Sequence, residues 1–516
     1  MKKIFFLAAL GLSVMSQASE PYFYKTLVDE QADATKGQTQ LYTLDYYADG
    51  SLLLLSSYQT TSADEPGLHF SDHTYQGGTA SKWGSREGDV KFTNMRNSFL
   101  AKLDANGELL WARPDTTGDY DLAGTAAAVT KDGGVIYADK FRTRKGRYMS
   151  FINWYGADGN MIESNNITFS TVKTAAMTAE PLDCYAWAGV AQAEDSTVYL
   201  TGYQADSIFP TWQDTIAMRS NGWDGSSSTK SSNCNTVIIR YSKALKYVGY
   251  TINNDELVYD RPTGLHYENG KLYVAGTYSN GTESGIYAAR YDKGLNREYI
   301  QYHPINGSLQ FQETKFANGK IFVCGGLAKG SITVGDKTLA TNGNFNHGLI
   351  YVMSMEDGSF VNAAVRSAAN DALNITVAAY PTKDGYVAYN HETLNGISTA
   401  LHYDAEMNLV SVDTLATGGG SSTISVVGRS ADGKNTAVGF RARTTADYYL
   451  LNEAPMNFAD KTNWYSVVAV LKEGSEEQAI NNVQRDDVPC TKVIENGVLY
   501  LMYNGTRYNV QGQVVR

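Results

Sequence analysis

Aromatic and acidic side chains suited to ligand binding collect in three long segments of this 516-residue sequence, at 59–96, 204–235 and 441–463. An aromatic face can stack on a sugar ring, and a nearby carboxylate accepts hydrogen bonds from hydroxyl groups. This chemistry favours a glycan or a protein as the ligand. Alternatively, these side chains fill small cores within their own segments. The candidate ligand-binding residues are Trp83, Trp212, Trp223, Asp224, Tyr448, Tyr449 and, directly after the third segment, Trp464.

Two groups of potential metal ligands occur in the sequence. His69 and His73 stand four residues apart in HFSDH, a spacing that would hold a metal on a helix, but the glycine-rich surroundings argue against a helix. Asp115, Asp119 and Asp121 could bind Ca²⁺ through oxygen ligands, and a solvated acidic loop is the alternative. The sequence therefore predicts no obligatory cofactor, with Ca²⁺ as the one cation to consider.

Motifs of the common enzyme classes are missing from the sequence: there is no G-x-S-x-G, no H-E-x-x-H, no phosphate-binding glycine loop and no C-x-x-C. A carboxylate pair for glycoside cleavage could still be assembled from distant parts of the chain. Two hypotheses remain. The first is a non-enzymatic binding protein, and the alternative is a carbohydrate-active hydrolase or lyase that uses the same surface.

Short alternating segments recur along the chain and must position these residues. NSFLAKLDANGELLWARP at 97–114 is typical of two strands around a tight turn, with Gly107 in the left-handed conformation. A second motif, such as NGKLYVAGTY at 269–278, precedes each copy of the first. Seven copies of the pair indicate a repeat architecture. The further copies of the first motif lie at 151–163, 237–250, 287–300, 351–364 and 400–412, with a truncated copy at 467–474.

Each unit supplies four strands, which we name A to D in chain order. Seven units of four antiparallel strands predict an all-β fold, a seven-bladed β-propeller, over residues 20–474. The seventh unit lacks a good final strand, whereas YFYKTLV at 22–28 is an unassigned strand ahead of the first unit. We therefore predict that the N-terminal segment completes the seventh blade.

The repeats resemble a known family of exported bacterial proteins. The segments SITVGDKTLATNGNFNHGLIYVMSMEDGSF at 331–360 and NSFLAKLDANGELLWA at 97–112 look like SBBP-type β-propeller repeats. The shared pattern is a glycine-rich loop, an aromatic-aliphatic strand, an Asp-x-x-Gly turn and an aliphatic-Trp strand. The resemblance implies a propeller and no particular reaction.

The last residues form a separate pattern. KVIENGVLYLMYNGTRYNVQGQVVR at 492–516 resembles the short C-terminal tails of exported Bacteroidales proteins, some of which overlap the sorting domain of the type IX secretion system. The pattern predicts a small β tail with two short strands around Asn504 and Gly505. Residues 475–491, rich in Glu, Asn and Asp, are predicted to be a linker.

The N-terminus predicts export. Lys2 and Lys3 precede an apolar run, and small residues follow it at Ser16 and Ala18, which is typical of a signal peptide over residues 1–19. The run is shorter than the roughly 20 residues of a membrane-spanning helix. We expect a periplasmic, cell-surface or secreted protein. Its net charge of −11 disfavours nucleic acid and anionic membranes as partners.

An exported chain can form disulfides, and this one has four cysteines. Cys184 and Cys234 flank one repeat unit and are the predicted bridge, while Cys324 lies in an apolar strand that suits a buried free thiol.

The long segments all connect B strands to C strands, and all B–C connections of a propeller lie on one face. Because long loops of a compact fold commonly carry function, the sequence predicts a ligand on the B–C face.

Overall fold

The structure is a computed structural model in which every regular element of the described residues is a β-strand. It describes residues 23–29, 39–60, 68–70, 73–75, 95–114, 126–142, 148–169, 185–204, 208–209, 216, 235–253, 259–334, 337–341, 346–366, 373–393, 396–418, 422–442, 448–450, 464–472, 491–495, 498–503 and 506–508. Within this part of the chain, no helix is long and apolar enough to cross a membrane.

Seven antiparallel sheets form the blades, and their strands are numbered in chain order. The four main strands of each blade are as follows. Blade 1 contains β2 (Thr39–Tyr46), β3 (Leu52–Thr60), β6 (Met95–Leu103) and β7 (Leu109–Pro114); blade 2 contains β8 (Ala126–Val129), β9 (Val135–Arg142), β10 (Tyr148–Tyr155) and β11 (Met161–Phe169); blade 3 contains β12 (Tyr185–Gln192), β13 (Val198–Gln204), β15 (Asn235–Tyr241) and β16 (Tyr247–Ile252); blade 4 contains β17 (Tyr259–Glu268), β18 (Lys271–Ser279), β19 (Ser284–Asp292) and β20 (Arg297–Pro304).

The remaining blades follow the same order. Blade 5 contains β21 (Asn306–Ala317), β22 (Lys320–Val334), β24 (Asn346–Ser354) and β25 (Phe360–Arg366); blade 6 contains β26 (Asn374–Pro381), β27 (Gly385–Glu392), β28 (Ile397–Asp404) and β29 (Leu409–Gly418); blade 7 contains β30 (Ser422–Arg429), β31 (Asn435–Ala442), β33 (Tyr465–Lys472) and β1 (Phe23–Asp29). The predicted fold class, a seven-bladed β-propeller of four-stranded antiparallel blades, is confirmed.

The N-terminal strand closes the ring, as the sequence predicts. Strand β1 pairs antiparallel with β33, with Phe23 opposite Val470 and Leu27 opposite Ser466. Leu27 is fully buried in the core that blades 7 and 1 share. The first and last parts of the propeller are therefore joined by main-chain hydrogen bonds and by apolar burial.

The C–D turn of each blade packs against the preceding blade in one of two ways. In blade 2, Gly159 has a φ of 74°, and a Cβ there would lie 2.6 Å from the ring of Trp111 on β7. In blade 3, the equivalent residue is Leu245, whose φ is 49° and whose side chain is buried. A left-handed non-glycine residue costs roughly 1–2 kcal/mol, which the burial of its side chain offsets.

Which arrangement a blade has depends on the residue of the neighbouring D strand that faces its turn. Aromatic residues of one blade face a turn glycine of the next: Phe23 with Gly107, Trp111 with Gly159, and Tyr299 with Gly358. Leu245, Leu295 and Met407 occupy the equivalent turn position in the other blades, also with positive φ. Six of the seven contacts between blades therefore contain one large side chain at this position, supplied by one partner or by the other.

Three additional elements extend the outer edges of the blades. The hairpin of β4 (Leu68–Phe70) and β5 (His73–Tyr75) pairs with β1, β14 (Ile208–Phe209) pairs with β11, and β32 (Tyr448–Leu450) pairs with β29. All three belong to B–C connections, and each one extends the D strand of the preceding blade. A fourth short strand, β23 (Lys337–Ala340), pairs with β22 of its own blade. Part of the extra sequence therefore covers sheet edges that would otherwise be open.

The C-terminal residues form a second compact unit, Lys472–Arg516, separate from the unit Met1–Leu471. It contains β34 (Thr491–Glu495), β35 (Val498–Tyr503) and β36 (Thr506–Tyr508) in a three-stranded antiparallel sheet. The two strands around Asn504 and Gly505 match the predicted tail, and β34 adds a strand that the pattern did not indicate. The predicted linker over 475–491 lies almost wholly outside the described residues.

Candidate functional site

The inner A strands surround an open cavity of about 810 Å³ on the axis of the propeller, which we call the central channel. Strands β2, β8, β12, β17 and β21 line it, together with parts of β26 and β30. Six A strands carry a register shift near their middle, where one extra residue faces the B strand. Gly428 keeps two of these strands close together, because a Cβ there would lie 2.2 Å from the carbonyl oxygen of Leu44.

Equivalent positions of the A strands carry very different side chains. The third residue after the register shift is Asp45 in blade 1, His266 in blade 4, Lys315 in blade 5 and Tyr380 in blade 6. All four residues line the cavity. Ionisable groups from blades far apart in the ring therefore face the same cavity.

Asp45 is the acidic group of blade 1. One carboxylate oxygen accepts a hydrogen bond from the Tyr46 amide at 2.9 Å, and the other accepts from the Val129 amide of blade 2 at 3.4 Å. Burial raises the pKa of Asp45 above its usual range, although the Val129 amide and the Lys315 ammonium partly oppose this rise. The carboxyl group is therefore held rigidly but is poorly solvated.

Glu313 and Lys315 form an ion pair on blade 5. The Lys315 ammonium donates to Glu313 Oε1 at 2.5 Å, while Glu313 Oε2 is buried without a hydrogen-bond partner. Burial raises the pKa of Glu313, the Lys315 ammonium lowers it in part, and the charge of Asp45 raises it further. This last effect couples the two carboxyl groups of the cavity.

Tyr380 and Arg429 complete the polar side of the cavity. The Tyr380 hydroxyl donates to the Val427 carbonyl at 2.9 Å, and its ring centre lies 5.8 Å from the Arg429 guanidinium and 5.9 Å from the Lys315 ammonium. Arg429 donates to the carbonyls of Pro381 at 3.2 Å and Gly433 at 3.1 Å. Burial raises the pKa of Tyr380 well above its usual range, so the hydroxyl stays neutral. The Lys315 ammonium and the Arg429 guanidinium therefore both lie next to the Tyr380 ring.

His266 marks the boundary between the polar and apolar sides. Its ring stacks on Phe316 with 5.4 Å between ring centres and 12° between ring planes. Burial lowers the pKa of His266, an effect that Glu268 partly opposes. The imidazole is therefore neutral at neutral pH and offers one donor and one acceptor.

Blades 2 and 3 form the opposite wall with small apolar side chains. Its small apolar residues are Ala126, Ala127, Ala128, Val129, Ala188, Gly189, Val190 and Ala191, and Trp187 and Gln192 also line this side. The cavity therefore has a charged arc from blades 5, 6, 7 and 1 and a smooth apolar arc from blades 2 and 3. Such an arrangement can hold a molecule that has both a polar edge and an apolar face.

The residues predicted from the long segments lie elsewhere or outside the described part. Trp83, Trp212, Trp223 and Asp224 lie outside the described residues. Tyr448 and Tyr449 belong to β32, on the outer edge of blade 6. The Trp464 ring lies 4.2 Å from the Arg441 guanidinium, and its carbonyl accepts from the Thr39 amide at 3.2 Å. Trp464 does not line the cavity, and a ligand on the B–C face stays a prediction.

The candidate metal ligands are likewise scattered. His69 and His73 lie on the β4–β5 hairpin, which excludes the helical spacing that a metal would need there. Asp115, Asp119 and Asp121 lie outside the described residues, as do Cys184 and Cys234 of the predicted disulfide. In the part of the chain that the structure describes, no group of three or more His, Cys, Asp or Glu side chains could hold a metal ion. Cys324 is a buried free thiol.

The sequence did not identify Asp45, Glu313 and Lys315 as site residues, because they lie in strands whose other residues have the pattern of a buried core. The signal was present in TLDYY at 43–47 and QETKF at 312–316, where charged residues interrupt the innermost strand of a unit. A charge in such a strand must face either a partner or a cavity. Only the pairing of the A strands shows that these two segments face the same cavity.

Together, the fold and the channel define a seven-bladed β-propeller with an axial cavity. No protein-family model matches the chain, and no curated protein matches it. Similar solved structures include a cobalt-substituted apocarotenoid oxygenase of Synechocystis, at 13% identity and a TM-score of 0.37 over 77% of this chain and 94% of that chain. Another is a protein of unknown function from Dyadobacter fermentans, at 10% identity and 0.36 over 69% and 96%. At these values the similarity carries no argument about activity.

Proposed function

We propose that the protein is an exported binding propeller whose ligand occupies the central channel. The observation that carries this proposal is the convergence of Asp45, Glu313 and Lys315, from blades on different sides of the ring, on one cavity of about 810 Å³. Ligand pockets are commonly of this size and combine apolar walls with a few convergent polar groups.

The energetic cost of this arrangement supports a functional role. Removing carboxylates and ammonium groups from water costs free energy, and a partly buried ion pair is weak evidence for a role in stability. Blades 2 and 3 line their part of the axis mainly with alanine, glycine and valine. A fold that needed only to pack its axis could use such residues in every blade.

Export and the ligand surface on the B–C face are parts of the same proposal. The signal-peptide pattern, the SBBP-type repeats and the C-terminal tail support export. The tryptophans predicted for the B–C face would then contact a part of a ligand that extends out of the channel, or a protein partner.

A screen that does not presuppose the ligand tests the channel site. Thermal unfolding of the full chain is followed with a panel of small molecules, for the wild type, for Ala188→Leu in the cavity wall and for Ala405→Leu on an exposed turn. We expect some compounds to stabilise the wild type and Ala405→Leu but not Ala188→Leu, because the larger side chain obstructs the alanine-rich wall of the cavity. Equal stabilisation of all three proteins would contradict the proposal.

A carbohydrate-active hydrolase is the second candidate, and the carboxyl pair favours it. Asp45 accepts two main-chain hydrogen bonds, whereas Glu313 is paired with Lys315 and has one unpartnered oxygen. Carboxyl groups in unlike environments can divide into a general acid and a base or nucleophile. Incubation with aryl glycosides tests this candidate: release of the aryl alcohol that Glu313→Gln abolishes would establish hydrolysis, and no release would leave the binding function.

A further inference from the structure

We infer that the ligand of the central channel is a small uncharged molecule rich in hydroxyl groups, such as a monosaccharide or disaccharide. This inference rests on the proposed function, because it names the class of ligand for the same site. Three features of the cavity support it: its charges, its two walls and its size.

The charges of the cavity give no net preference for a charged ligand. Two acidic groups, Asp45 and Glu313, and two basic groups, Lys315 and Arg429, line it, so an ion of either sign would meet a like charge as well as an opposite one. The strongest pair is already made within the protein, between Lys315 and Glu313. Hydroxyl groups both donate and accept, so one ligand edge can hydrogen-bond with carboxylates and cations together.

The walls of the cavity suit a ring with an apolar face. The alanine-rich wall of blades 2 and 3 can pack against the C–H face of a sugar ring, and the charged arc lies next to it at Asp45. His266, stacked on Phe316, offers a neutral donor and acceptor at the boundary of the two arcs. A purely apolar ligand would leave the polar arc without partners, at a cost in binding.

The size of the cavity limits the ligand. A volume of about 810 Å³ lies within the usual range for small-molecule pockets. A mono- or disaccharide fits this space, whereas a longer chain would have to extend out of the channel.

Calorimetric titration of the full chain with matched sugars tests the ligand class. The probes are glucose, galactose, mannose and their disaccharides, compared with glucosamine and glucuronic acid as charged counterparts. We expect at least one neutral sugar to bind at least about tenfold more tightly than its charged counterpart, because the added charge meets a like charge in the cavity.

Three variants locate that binding. We expect Asp45→Asn to weaken it by about tenfold, because a hydrogen bond to a charged group is lost. Ala188→Leu should abolish it, and Glu406→Gln, on an exposed turn, should leave it unchanged. Thermal unfolding of each variant shows whether the fold is retained.

Different failures overturn different claims. Should charged compounds bind more tightly than neutral sugars and Ala188→Leu block them, the ligand class is wrong and the channel site stands. A lack of binding by every neutral sugar at millimolar concentration also overturns the ligand class. Sugar binding that survives both Asp45→Asn and Ala188→Leu overturns the channel site itself.

Discussion

Two carboxyl groups, Asp260 between the blades and Glu313 on the axis, differ in how completely they are hydrogen-bonded. Between blades 3 and 4, Asp260 is fully buried and accepts from the Thr236 amide at 3.0 Å and from the Asn253 amide nitrogen at 2.7 Å. On the axis, Glu313 has one buried oxygen without a partner. Complete hydrogen bonding is typical of groups that hold a fold together, and incomplete hydrogen bonding marks a place where something else binds or reacts.

Asp139, between blades 1 and 2, is a second fully buried carboxylate. Its Oδ2 accepts from the hydroxyl groups of Tyr137 and Ser98, the latter at 3.0 Å. Two of the contacts between blades therefore contain a buried, hydrogen-bonded carboxylate, whereas the axis contains a carboxyl pair with raised pKa values. From this difference we expect substitutions between the blades to change stability and substitutions on the axis to change binding.

The largest effect on stability is expected at a contact between blades. In Gly159→Leu, the new side chain meets the Trp111 ring and the residue has to keep a positive φ. We expect the free energy of unfolding to fall by about 3–4 kcal/mol, measured by chemical denaturation. Because blades 3, 4 and 6 place a large residue at the turn, Trp111→Gly should relieve part of this cost.

The double variant checks that explanation. We expect Trp111→Gly/Gly159→Leu to be more stable than the sum of the single changes predicts, by about 2 kcal/mol. Additive effects would show that the two arrangements of this contact are not interchangeable.

The next largest loss of stability is expected at Asp260, whose two carboxylate oxygens both accept hydrogen bonds. Asp260→Ala leaves the Thr236 amide and the Asn253 side chain without their acceptor, and we expect a loss of about 2–4 kcal/mol in unfolding free energy. Ligand binding in the channel should be unchanged in the folded protein. If Asp260→Ala is about as stable as the wild type, the proposed difference between a structural carboxylate at Asp260 and a binding carboxylate at Glu313 is wrong.

The ion pair on the axis should matter little for stability. Replacing both partners, in Glu313→Gln/Lys315→Met, avoids leaving one charge unpaired, and we expect the unfolding free energy to stay within about 1 kcal/mol of the wild type or to rise. The same variant should lose channel binding. A loss of stability as large as that of Asp260→Ala would mean that the axial pair is structural.

The pH dependence of stability should have opposite signs on the axis and at the turns. The pKa of Asp45 is raised in the folded state, so its contribution to stability is present at low pH and is lost as pH rises above about 4. The pKa of Asp49 is lowered by Ser51, so its contribution is present at neutral pH and is lost as pH falls. We expect Asp45→Asn to gain stability relative to the wild type between about pH 4 and 7, and Asp49→Asn to lose it, in thermal unfolding.

The sequence predicted the architecture well because the propeller is specified locally. Tight turns and alternating strands recur from unit to unit, so most blades can be identified without knowledge of the others. The third unit has Ser242 where other turns have Asp, and its hydroxyl accepts the Lys246 amide at 3.2 Å in the same role. The turn therefore forms with either Asp or Ser at this position.

The channel site could not be predicted in the same way because it depends on contacts between distant blades. Asp45 and Glu313 lie far apart in the sequence and face one cavity only after the ring has closed through β1. Aromatic residues in long loops were the stronger local signal, yet Tyr448 and Tyr449 belong to a strand that extends an outer edge. Loop length alone does not distinguish a covered sheet edge from a binding surface.

A crystal structure of the full chain with a bound ligand tests the central claim most directly. The ligand is chosen as the compound that stabilises the wild type but not Ala188→Leu, or as a neutral sugar that binds in calorimetry. We predict that the ligand lies on the propeller axis, within hydrogen-bond distance of Asp45 or Lys315 and against the alanine-rich wall of blades 2 and 3. A ligand found only on the B–C face, next to Trp83, Trp212 or Trp223, with the channel filled by solvent, would contradict the claim.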